Sequence, residues 1–539
     1  MDGVGINSHE LETIAKTLPM SRPEEPFACD SVAYPGLVHP QTHPTQLAPK
    51  ARLFGLLPAS PESCHVLELG CGDGTNLVAM AMAHPNSSYV GVDLSGAAIA
   101  RGRAVVAESG VTSVRLIEGN LTDIDASWGK FDYILAHGVY SWVPSAVRDA
   151  VLRVAGSLLA PDGVAFVSYL ALPGAHLREM IRSITRFHTS ATLDPEEKIH
   201  NAISVIGFLG RASTENSLYH QLLQNEFESL RHRDHGNLFH DELADISTPL
   251  FFRDFCAEAN RYGLQFLTDA EYVEPPGFAL TEEAIEVLKP LRENRLLYEQ
   301  YLDLVHGRRF RQTLLCRARG ELKLDRSLMD TFFLACAADP VDAPEDLSGP
   351  EPLSFQGRKR STFRTEHPLS KAVFCELARI YPERLCYEEA LRRGADRIDQ
   401  TLPVSPVDAE TFRALLTKLY APSLVELHTG PLPYAARVSE RPLASPLAAC
   451  QVRAGDETVI NLSGRPVGLP GPLERFLLLI LDGTRTLDAT VDELREFLLK
   501  ANEPGEGHIP DLPSAANPEL RAIVERVLVE FVRNSLLIR

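Results

Sequence analysis

The sequence predicts a Rossmann-like α/β domain with a parallel sheet and a helical insertion, followed by an α+β, winged-helix-like C-terminal region. Two patterns predict this fold class. Apolar strand-like runs alternate with helical runs in the first part of the chain, as expected for a parallel sheet. After about residue 367 the pattern changes to short helix, helix and strand units. A chain of 539 residues is too long for one hydrophobic core, so several domains are expected.

The elements of the sheet follow in order along the chain. Strands are predicted at residues 65–69, 88–93, 114–119, 131–137 and 163–169. A helix is expected at 46–54, and others start near Thr75, after the N-cap Ser95, and at Pro144. Ligands of such a sheet bind beyond the carboxyl ends of its strands. The residues that follow each strand are therefore the candidates for a site.

The rest of the chain gives the predicted domain organisation. Helical spacing over about 175–262 is followed by two strand-like runs, Leu264–Tyr272 and Phe310–Cys316, which fit a closing antiparallel hairpin. Segment 338–366 is rich in Pro, Asp, Gly and Ser, as a linker would be. The predicted units are a flexible N-terminus (1–29), the sheet domain (30–175 and 263–320), a helical insertion (176–262), a linker (321–366) and two winged-helix-like domains (367–435 and 436–539).

Charge and composition exclude several classes of function. The formal net charge is −19, and residues 367–539 carry 20 basic against 24 acidic side chains, a net of −4, which argues against nucleic acid and anionic membrane as partners. The nine cysteines form no C-x-x-C pair, so neither a metal site nor a disulfide framework is expected. No signal peptide is visible, and the longest apolar run, Phe476–Leu481, is too short to span a membrane. We expect a cytoplasmic protein without membrane insertion.

A glycine-rich turn after the first strand indicates a nucleotide cofactor. The run His65–Gly74 reads HVLELGCGDG, and Asp93 ends the second strand nineteen residues after Gly74. An acid at that place can accept both ribose hydroxyls of an adenosine. The glycines read G-x-G-x-G, so the G-x-G-x-x-G of a dinucleotide site is absent, and Glu68 precedes them by two residues. A carboxylate would repel a pyrophosphate but suits an ammonium and a sulfonium, which predicts S-adenosylmethionine (SAM). The alternative is an ordinary turn without a ligand.

The cofactor residues are assigned by their place after the strands. Glu68 is expected toward the methionine end, Asp93 at the ribose and Asn120 at the adenine edge. The same reasoning gives the sequence neighbours that complete this part of the site: Gly70, Cys71, Gly72, Leu94 and Leu121. Upstream, Tyr34–Pro44 is dense in prolines and histidines, and it is interpreted either as a lid over the site or as a packed connector.

Several motifs together resemble the bacterial lysine methyltransferases of outer-membrane proteins. They are Tyr34-Pro35, Thr42-His43-Pro44, the glycine-rich turn, the octapeptide His137–Pro144, Val167-Ser168-Tyr169, His240–Leu243 and Arg308–Cys316. The octapeptide is the most specific of them. The resemblance implies a class I SAM-dependent methyltransferase domain, a regulatory segment within the insertion and a protein or peptide substrate. It also implies cofactor contacts from Tyr34, Thr42, His43 and His137, and it leaves the oligomeric state open, with a dimer as one option.

Methyl transfer requires an acceptor channel more than a general base, because the enzyme mainly positions a nucleophile and excludes water. A lysine amine is presented neutral more readily in an apolar aromatic pocket, which predicts Tyr140, Trp142 and Tyr169 as catalytic residues. His137 is predicted to orient the substrate or act as a base, with a structural hydrogen bond as the alternative. His240 and Asp241 are interpreted as a helix-start contact.

The acceptor remains open at this stage. At the end of the fifth strand, the family that this chain resembles has patterns similar to Ser-Tyr-Asn and Pro-Gly-Trp. This chain has Leu170 in place of the asparagine and Ala175 in place of the tryptophan. One hypothesis is therefore transfer to a protein or peptide amine, most readily lysine. A second is transfer to a small molecule or a biosynthetic peptide, and a third is a noncatalytic SAM-binding regulator.

Overall fold

The computed structural model describes residues 32–270, 280–357, 361–399, 403–420, 423–469, 471–501 and 519–539. Two sequence predictions fall on other residues. The expected flexible N-terminus, 1–29, lies outside the described residues, as does Tyr272 at the end of the predicted sixth strand.

A seven-stranded sheet forms the centre of the first domain. Its order is β3-β2-β1-β4-β5-β7-β6, with β1 to β5 parallel and β7 antiparallel to both β5 and β6. The strands are β1 His65–Leu69, β2 Ser88–Asp93, β3 Val114–Glu118, β4 Phe131–Ala136, β5 Leu159–Leu170, β6 Leu264–Asp269 and β7 Phe310–Arg317. The predicted closing hairpin is therefore present. Chain order reverses between β1 and β4, and such a switch point is where ligands of open α/β sheets bind.

Helices cover both faces of this sheet. The first face carries α1 Pro44–Leu53, α2 Thr75–Ala83 and α3 Gly96–Ser109, whose buried side chains form a core with Val66 and Phe166. The opposite face carries α4 Ser145–Leu158, with Val151 and Leu152 in the core. The Ser95 hydroxyl accepts a hydrogen bond from Ala98 N, as its predicted N-cap role requires. The helix expected at 46–54 starts two residues earlier, because Pro44 suits the first turn and the His43 ring caps it.

The helical block after β5 consists of five helices. They are α5 Ala175–His188, α6 Pro195–Ala212, α7 Leu218–Leu230, α8 His235–Glu242 and α9 Phe252–Asn260. Helices α5 to α8 share a small core of their own around Ile181, Ile199 and Ile206. Helix α9 instead packs on the sheet through Phe252 and Phe255. Between β6 and β7 lie α10 Glu282–Leu288 and α11 Arg295–His306.

The predicted linker at 321–366 is folded, which corrects that expectation. It contains β8 Phe333–Ala335, β9 Asp339–Val341, β10 Leu353–Gln356 and β11 Thr362–Thr365. Strands β9 to β11 form a three-stranded antiparallel sheet. The Phe355 and Phe363 rings stack at a centroid distance of 4.8 Å. The linker prediction rested on the high content of Pro, Asp, Gly and Ser. The strands form nevertheless, because burial of their apolar side chains stabilises them.

The middle region shares this core. Its elements are α12 Pro368–Ile380, β12 Leu385–Cys386, α13 Tyr387–Arg397, α14 Pro406–Tyr420 and β13 Glu426–His428, and both β12 and β13 pair with β8. The core joins Phe374 and Phe412 of the helices to Phe332 and Phe355. Residues 321–357 and 361–366 are thus part of the same packed unit as the helices that follow them.

The C-terminal region is a winged-helix unit. It contains α15 Pro446–Ala454, the hairpin β14 Thr458–Ile460 with β15 Pro466–Gly468, α16 Pro472–Ile480, α17 Leu487–Ala501 and α18 Leu520–Arg533. Leu447 and Ile460 pack on Val78 and Ala79 of α2, which fixes this unit against the sheet domain. Across the part of the chain that is described, no helix combines the length and apolarity needed to cross a membrane.

Candidate functional site

The turn after β1 brings the backbone to the switch point of the sheet. Gly70 and Gly72 have φ values of +72° and +56°, which side chains other than glycine rarely adopt. A Cβ on Gly70 would lie 2.4 Å from Val139 Cγ2, whereas a Cβ on Gly72 would meet no atom within 4 Å. Gly70 is therefore required by packing, and Gly72 leaves open space above the turn into which a ligand can fit.

Asp93 joins the turn to the end of β2. Its Oδ2 accepts from Gly72 N at 2.8 Å, and its Oδ1 accepts from Ser95 N at 2.9 Å. Each carboxylate oxygen keeps a second lone pair that can accept a hydroxyl. The side chain is half-buried, so a ribose can reach it.

A buried hydrogen-bond network connects Glu68 to the N-terminal segment. Asn76 on α2 donates from Nδ2 to Glu68 Oε1 at 2.8 Å and to Thr42 Oγ1 at 3.1 Å. The Asn76 Oδ1 accepts from His39 N at 3.0 Å, and Thr42 Oγ1 donates to His39 O at 2.7 Å. These hydrogen bonds hold residues 39–42 over the end of β1.

The second carboxylate oxygen of Glu68 is left without a partner. Glu68 is 3% exposed, and its Oε2 makes no hydrogen bond to any residue that the structure describes. Burial raises the pKa of Glu68 to about 8, although the hydrogen bond from Asn76 opposes the shift. A buried carboxyl group with an unused oxygen fits a cationic group such as the ammonium of an amino acid. The residues present therefore fit a SAM-like ligand, with Glu68 at its methionine end and Asp93 at its ribose.

The remaining predicted cofactor residues surround the ends of β1, β2 and β3. Leu94 is 56% exposed beside Asp93, and its isobutyl group is available to a flat ring. Asn120 is exposed and accepts from Thr122 N at 3.0 Å, while Leu121 is buried in the core. Cys71 is half-buried. Their roles as cofactor contacts stay predictions.

His137 lies at the end of β4, among aromatic rings from three other parts of the chain. It stacks on His39 at a centroid distance of 3.6 Å, lies 5.8 Å from the Phe166 ring and meets Phe310 edge-on at 6.1 Å. Its Nε2 is 3.5 Å from Gln41 Nε2. Burial lowers the pKa of His39 to about 4 and that of His137 to about 3, so both imidazoles are neutral at pH 7. The cluster is therefore uncharged, and Phe310 is set edge-on to the His137 ring.

Tyr140 and Tyr169, predicted as walls of the acceptor channel, lie in the core on the other face of the sheet. Each is 1% exposed. The Tyr140 hydroxyl donates to Glu258 Oε2 at 2.5 Å, and the Tyr169 ring stacks on Phe255 at 4.1 Å. Side chains alternate along β5, so Tyr169 faces α9 while Phe166 faces His137. The structure does not bring these tyrosines together with His137.

Trp142 contacts the helical block. Its ring lies 5.2 Å from the Arg178 guanidinium carbon and 5.0 Å from that of Arg182, both on α5. Arg178 is held by Glu242 at 2.9 Å, at the end of α8. The indole therefore connects the loop after β4 to the helical block through cation–π contacts.

The other predicted residues of the N-terminal segment are separated. Tyr34 is 41% exposed and meets the His240 ring edge-on at 5.5 Å. His240 lies in the last turn of α8, not at a helix start as predicted, and its Nε2 contacts Val32 O at 2.8 Å. His43 is 4% exposed and packs toward His84. Only Thr42 of this group reaches the network around Glu68.

Four residues of the candidate site were not predicted from the sequence: His39, Asn76, Phe166 and Phe310. Asn76 could have been suspected, because a polar residue in the first turn of a helix that follows a glycine-rich turn lies at the same edge of the sheet. His39 and Phe310 lie in segments that the sequence singled out, Tyr34–Pro44 and Arg308–Cys316, but no local pattern places their rings beside His137. They come from segments that only the tertiary fold brings to β4.

Family models match three parts of the chain. Residues 67–165 match a methyltransferase domain, 234–317 a predicted methyltransferase regulatory domain and 440–536 the C-terminal winged helix domain of PKMT. The regulatory match begins at the N-cap of α8 and continues through β6 and β7. It therefore spans the boundary that the sequence predicted between the insertion and the sheet domain.

Relatives and solved structures extend the similarity to nearly the whole chain. Protein RP789 of Rickettsia prowazekii is 28% identical, with 94% of this chain and 93% of that protein covered. Protein RP028 of the same organism is 35% identical over 44% of this chain and 96% of its own length. The structure of PKMT2 from Rickettsia typhi in complex with AdoHcy has a TM-score of 0.80 at 27% identity, covering 94% of this chain and 100% of that one.

Proposed function

We propose that this chain, which belongs to the class I SAM-dependent methyltransferases that combine a regulatory domain with a PKMT winged helix domain, transfers a methyl group to the side-chain amine of lysine in a protein or peptide. The observation that carries the proposal is the neutral aromatic cluster of His39, His137 and Phe310 beside the Glu68 network. Similarity to PKMT2 over the whole domain order supports it. The proposal includes a cytoplasmic location.

The cofactor is assigned to the edge formed by β1, β2 and β3. SAM supplies a methyl group on a sulfonium centre. In this proposal the unpartnered Glu68 Oε2 receives the methionine ammonium, and Asp93 accepts the ribose hydroxyls while keeping its bonds to Gly72 and Ser95. Leu94 contacts the adenine ring and Asn120 its polar edge. The space above Gly72 allows this close approach.

The acceptor amine is assigned to the cluster around His137. In this proposal the cluster, and not Tyr140 and Tyr169, forms the wall of the acceptor channel. Presenting a lysine neutral at pH 7 costs about 4–5 kcal/mol from a reference pKa near 10.4. An uncharged aromatic surface lowers that cost because it desolvates the ammonium. A pKa near 3 makes His137 a poor base for an amine. We therefore assign His137 to orienting the substrate and excluding water. The lysine ammonium releases its proton to solvent before methyl transfer.

The test is mass spectrometry of a bacterial lysate incubated with the protein and isotopically labelled SAM. Label on lysine residues of proteins is the expected result. Label recovered only in small molecules would refute lysine as the acceptor and support the small-molecule hypothesis. No label, together with normal SAM binding, would favour the noncatalytic regulator.

A matched pair of variants tests the acceptor wall. Phe310→Ala should lower single-turnover transfer by about tenfold or more, because a misplaced nucleophile reacts slowly, while SAM affinity stays unchanged. Phe187→Ala on α5 is the control, since that ring is 64% exposed. Equal transfer rates in the two variants would remove Phe310 from the proposed wall.

A further inference from the structure

A polar recess lies where three parts of the chain meet. It lies between α1, the end of α2, the middle region and the C-terminal region. Two arginines and a glutamate line it together with three histidines: Arg384, Arg465, Glu426, His43, His84 and His428. Neither the cofactor assignment nor the acceptor wall uses this space.

The three histidines each present an unused ring nitrogen. They are 4%, 5% and 3% exposed for His43, His84 and His428 respectively. Within the described part of the chain, the nitrogens without a hydrogen-bond partner are His43 Nε2, His84 Nδ1 and His428 Nδ1. Buried polar atoms are almost always paired, so three unpaired nitrogens around one recess indicate an occupant.

The state of the His43 ring follows from its own contacts. Its Nδ1 accepts from Thr45 N at 3.1 Å, so that nitrogen carries a lone pair. Burial holds the pKa of His43 well below its ordinary value, so the ring is neutral and its proton sits on Nε2. The recess therefore contains a buried N–H donor that needs an acceptor.

The charges of the recess leave an excess of one positive charge. Arg465 Nη2 pairs with Glu426 Oε1 at 3.0 Å, and His428 Nε2 contacts Glu426 Oε2 at 3.2 Å, so both carboxylate oxygens are engaged. Arg384 donates to Pro431 O at 3.0 Å. Among the residues that the structure describes, no carboxylate forms an ion pair with Arg384. Burial lowers the pKa of Arg384, as expected for a cation without a full counter-charge.

We propose that the recess binds a small oxyanion that accepts hydrogen bonds from His43 and Arg384. An oxyanion supplies the missing acceptor and the missing negative charge together, which one water molecule does not. A metal ion does not fit, because within the described ranges no three His, Cys, Asp or Glu side chains are placed to hold one. A bound anion joins the N-terminal segment to the middle region, since His43 and Arg384 come from different parts of the chain.

Binding there is coupled to the cofactor edge. His43 follows Thr42, whose hydroxyl accepts from the Asn76 amide that also holds Glu68. An anion that immobilises His43 therefore stabilises the segment closed over Glu68, and by linkage SAM should strengthen anion binding by the same factor. This coupling rests on the proposed cofactor assignment, whereas the anion site itself does not.

The experiment measures anion binding to the full chain without SAM. Phosphate, sulfate and acetate are titrated calorimetrically against chloride at equal ionic strength, and thermal melting is followed in parallel. We expect one oxyanion to bind and to raise the melting temperature more than chloride does. The preferred anion distinguishes a tetrahedral ligand from a carboxylate. Equal behaviour of all four salts would overturn the proposal.

Variants and crystals localise the binding. Arg384→Gln should weaken binding of the preferred anion by about tenfold or more, and Arg384→Lys by less. Arg437→Gln is the control, because that arginine is 83% exposed and pairs with Glu383 at 3.4 Å, away from the recess lining. Unchanged binding in a folded Arg384→Gln protein would refute the site. If that variant does not fold, a wild-type crystal soaked in the preferred anion decides, since difference electron density for the anion must appear beside His43 Nε2 and its absence overturns the proposal.

Discussion

Replacement of Glu68 by Gln should change both the pH dependence of stability and the protons exchanged on SAM binding. The side chain is 3% exposed, and its pKa is raised from 4.5 to about 8 by burial. In the folded protein the carboxyl group keeps its proton up to about pH 8, while in the unfolded chain it ionises above about pH 4.5. Stability from this group is therefore full at low pH and is lost as pH rises between those values.

The magnitude follows from the size of the shift. Each pH unit in this window costs about 1.4 kcal/mol, so the wild type should lose about 3–4 kcal/mol relative to Glu68→Gln between pH 5 and pH 8. All other groups titrate alike in the two proteins, so the difference isolates Glu68. Chemical denaturation at several pH values measures it. Glu62→Gln, which removes an exposed carboxylate before β1, should show no such difference.

The same carboxyl group should lose its proton when it receives an ammonium. SAM binding at pH 7 is then expected to release close to one proton, which titration calorimetry in buffers of different ionisation enthalpy detects. The net release should disappear near pH 8, because the α-amine of free SAM, with an ordinary pKa of about 8, then takes up a proton to bind as the ammonium. Glu68→Gln should abolish the release and weaken SAM at least about tenfold, the loss expected for a charge-assisted hydrogen bond. Tight SAM binding without proton release, together with a pH-independent stability difference, would refute the assignment of Glu68.

Three further outcomes are expected from the same structure. Asp93→Ala should lower SAM affinity at least about tenfold by calorimetry, because it removes two charge-assisted acceptors from the ribose. Tyr140→Phe should lower the free energy of unfolding by about 1–3 kcal/mol, since it leaves Glu258 without its donor, but should leave SAM affinity and transfer normal in the folded protein. The full chain should not retard duplex DNA on a gel at low salt, and a tight, salt-sensitive shift would revive the regulator hypothesis.

Local sequence patterns predicted most of the sheet domain because each of its elements carries its own signal. Strands β1 to β5 are predominantly apolar runs bounded by turns, and the hairpin of β6 and β7 follows from what such a sheet needs to close. The strands at 339–365 were missed because they are only three or four residues long. Their signal was present in the period-two spacing of Leu353 and Phe355, both buried.

In the candidate site, the cofactor residues could be predicted from local sequence patterns and the acceptor residues could not. Glu68, Gly70, Gly72 and Asp93 could be chosen because short-range turn geometry places them together at the switch point. The residues of the acceptor side could not be chosen from the sequence, since their role depends on which face of the sheet each side chain occupies. Position after a strand predicted Tyr169 as a wall, but strand alternation turns it toward α9, and the opposite face presents Phe166 to His137.

The buried N-terminal segment decides how a substrate can approach. Thr42 is fully buried and His43 is 4% exposed, so this part of the segment is a packed connector. Lifting it as a lid would strip Asn76 of two hydrogen bonds, and each buried group left unpaired costs about 1–3 kcal/mol. Phe310, in contrast, is 36% exposed at the start of β7. We therefore infer that the acceptor reaches His137 past Phe310, while the segment stays closed over the cofactor edge.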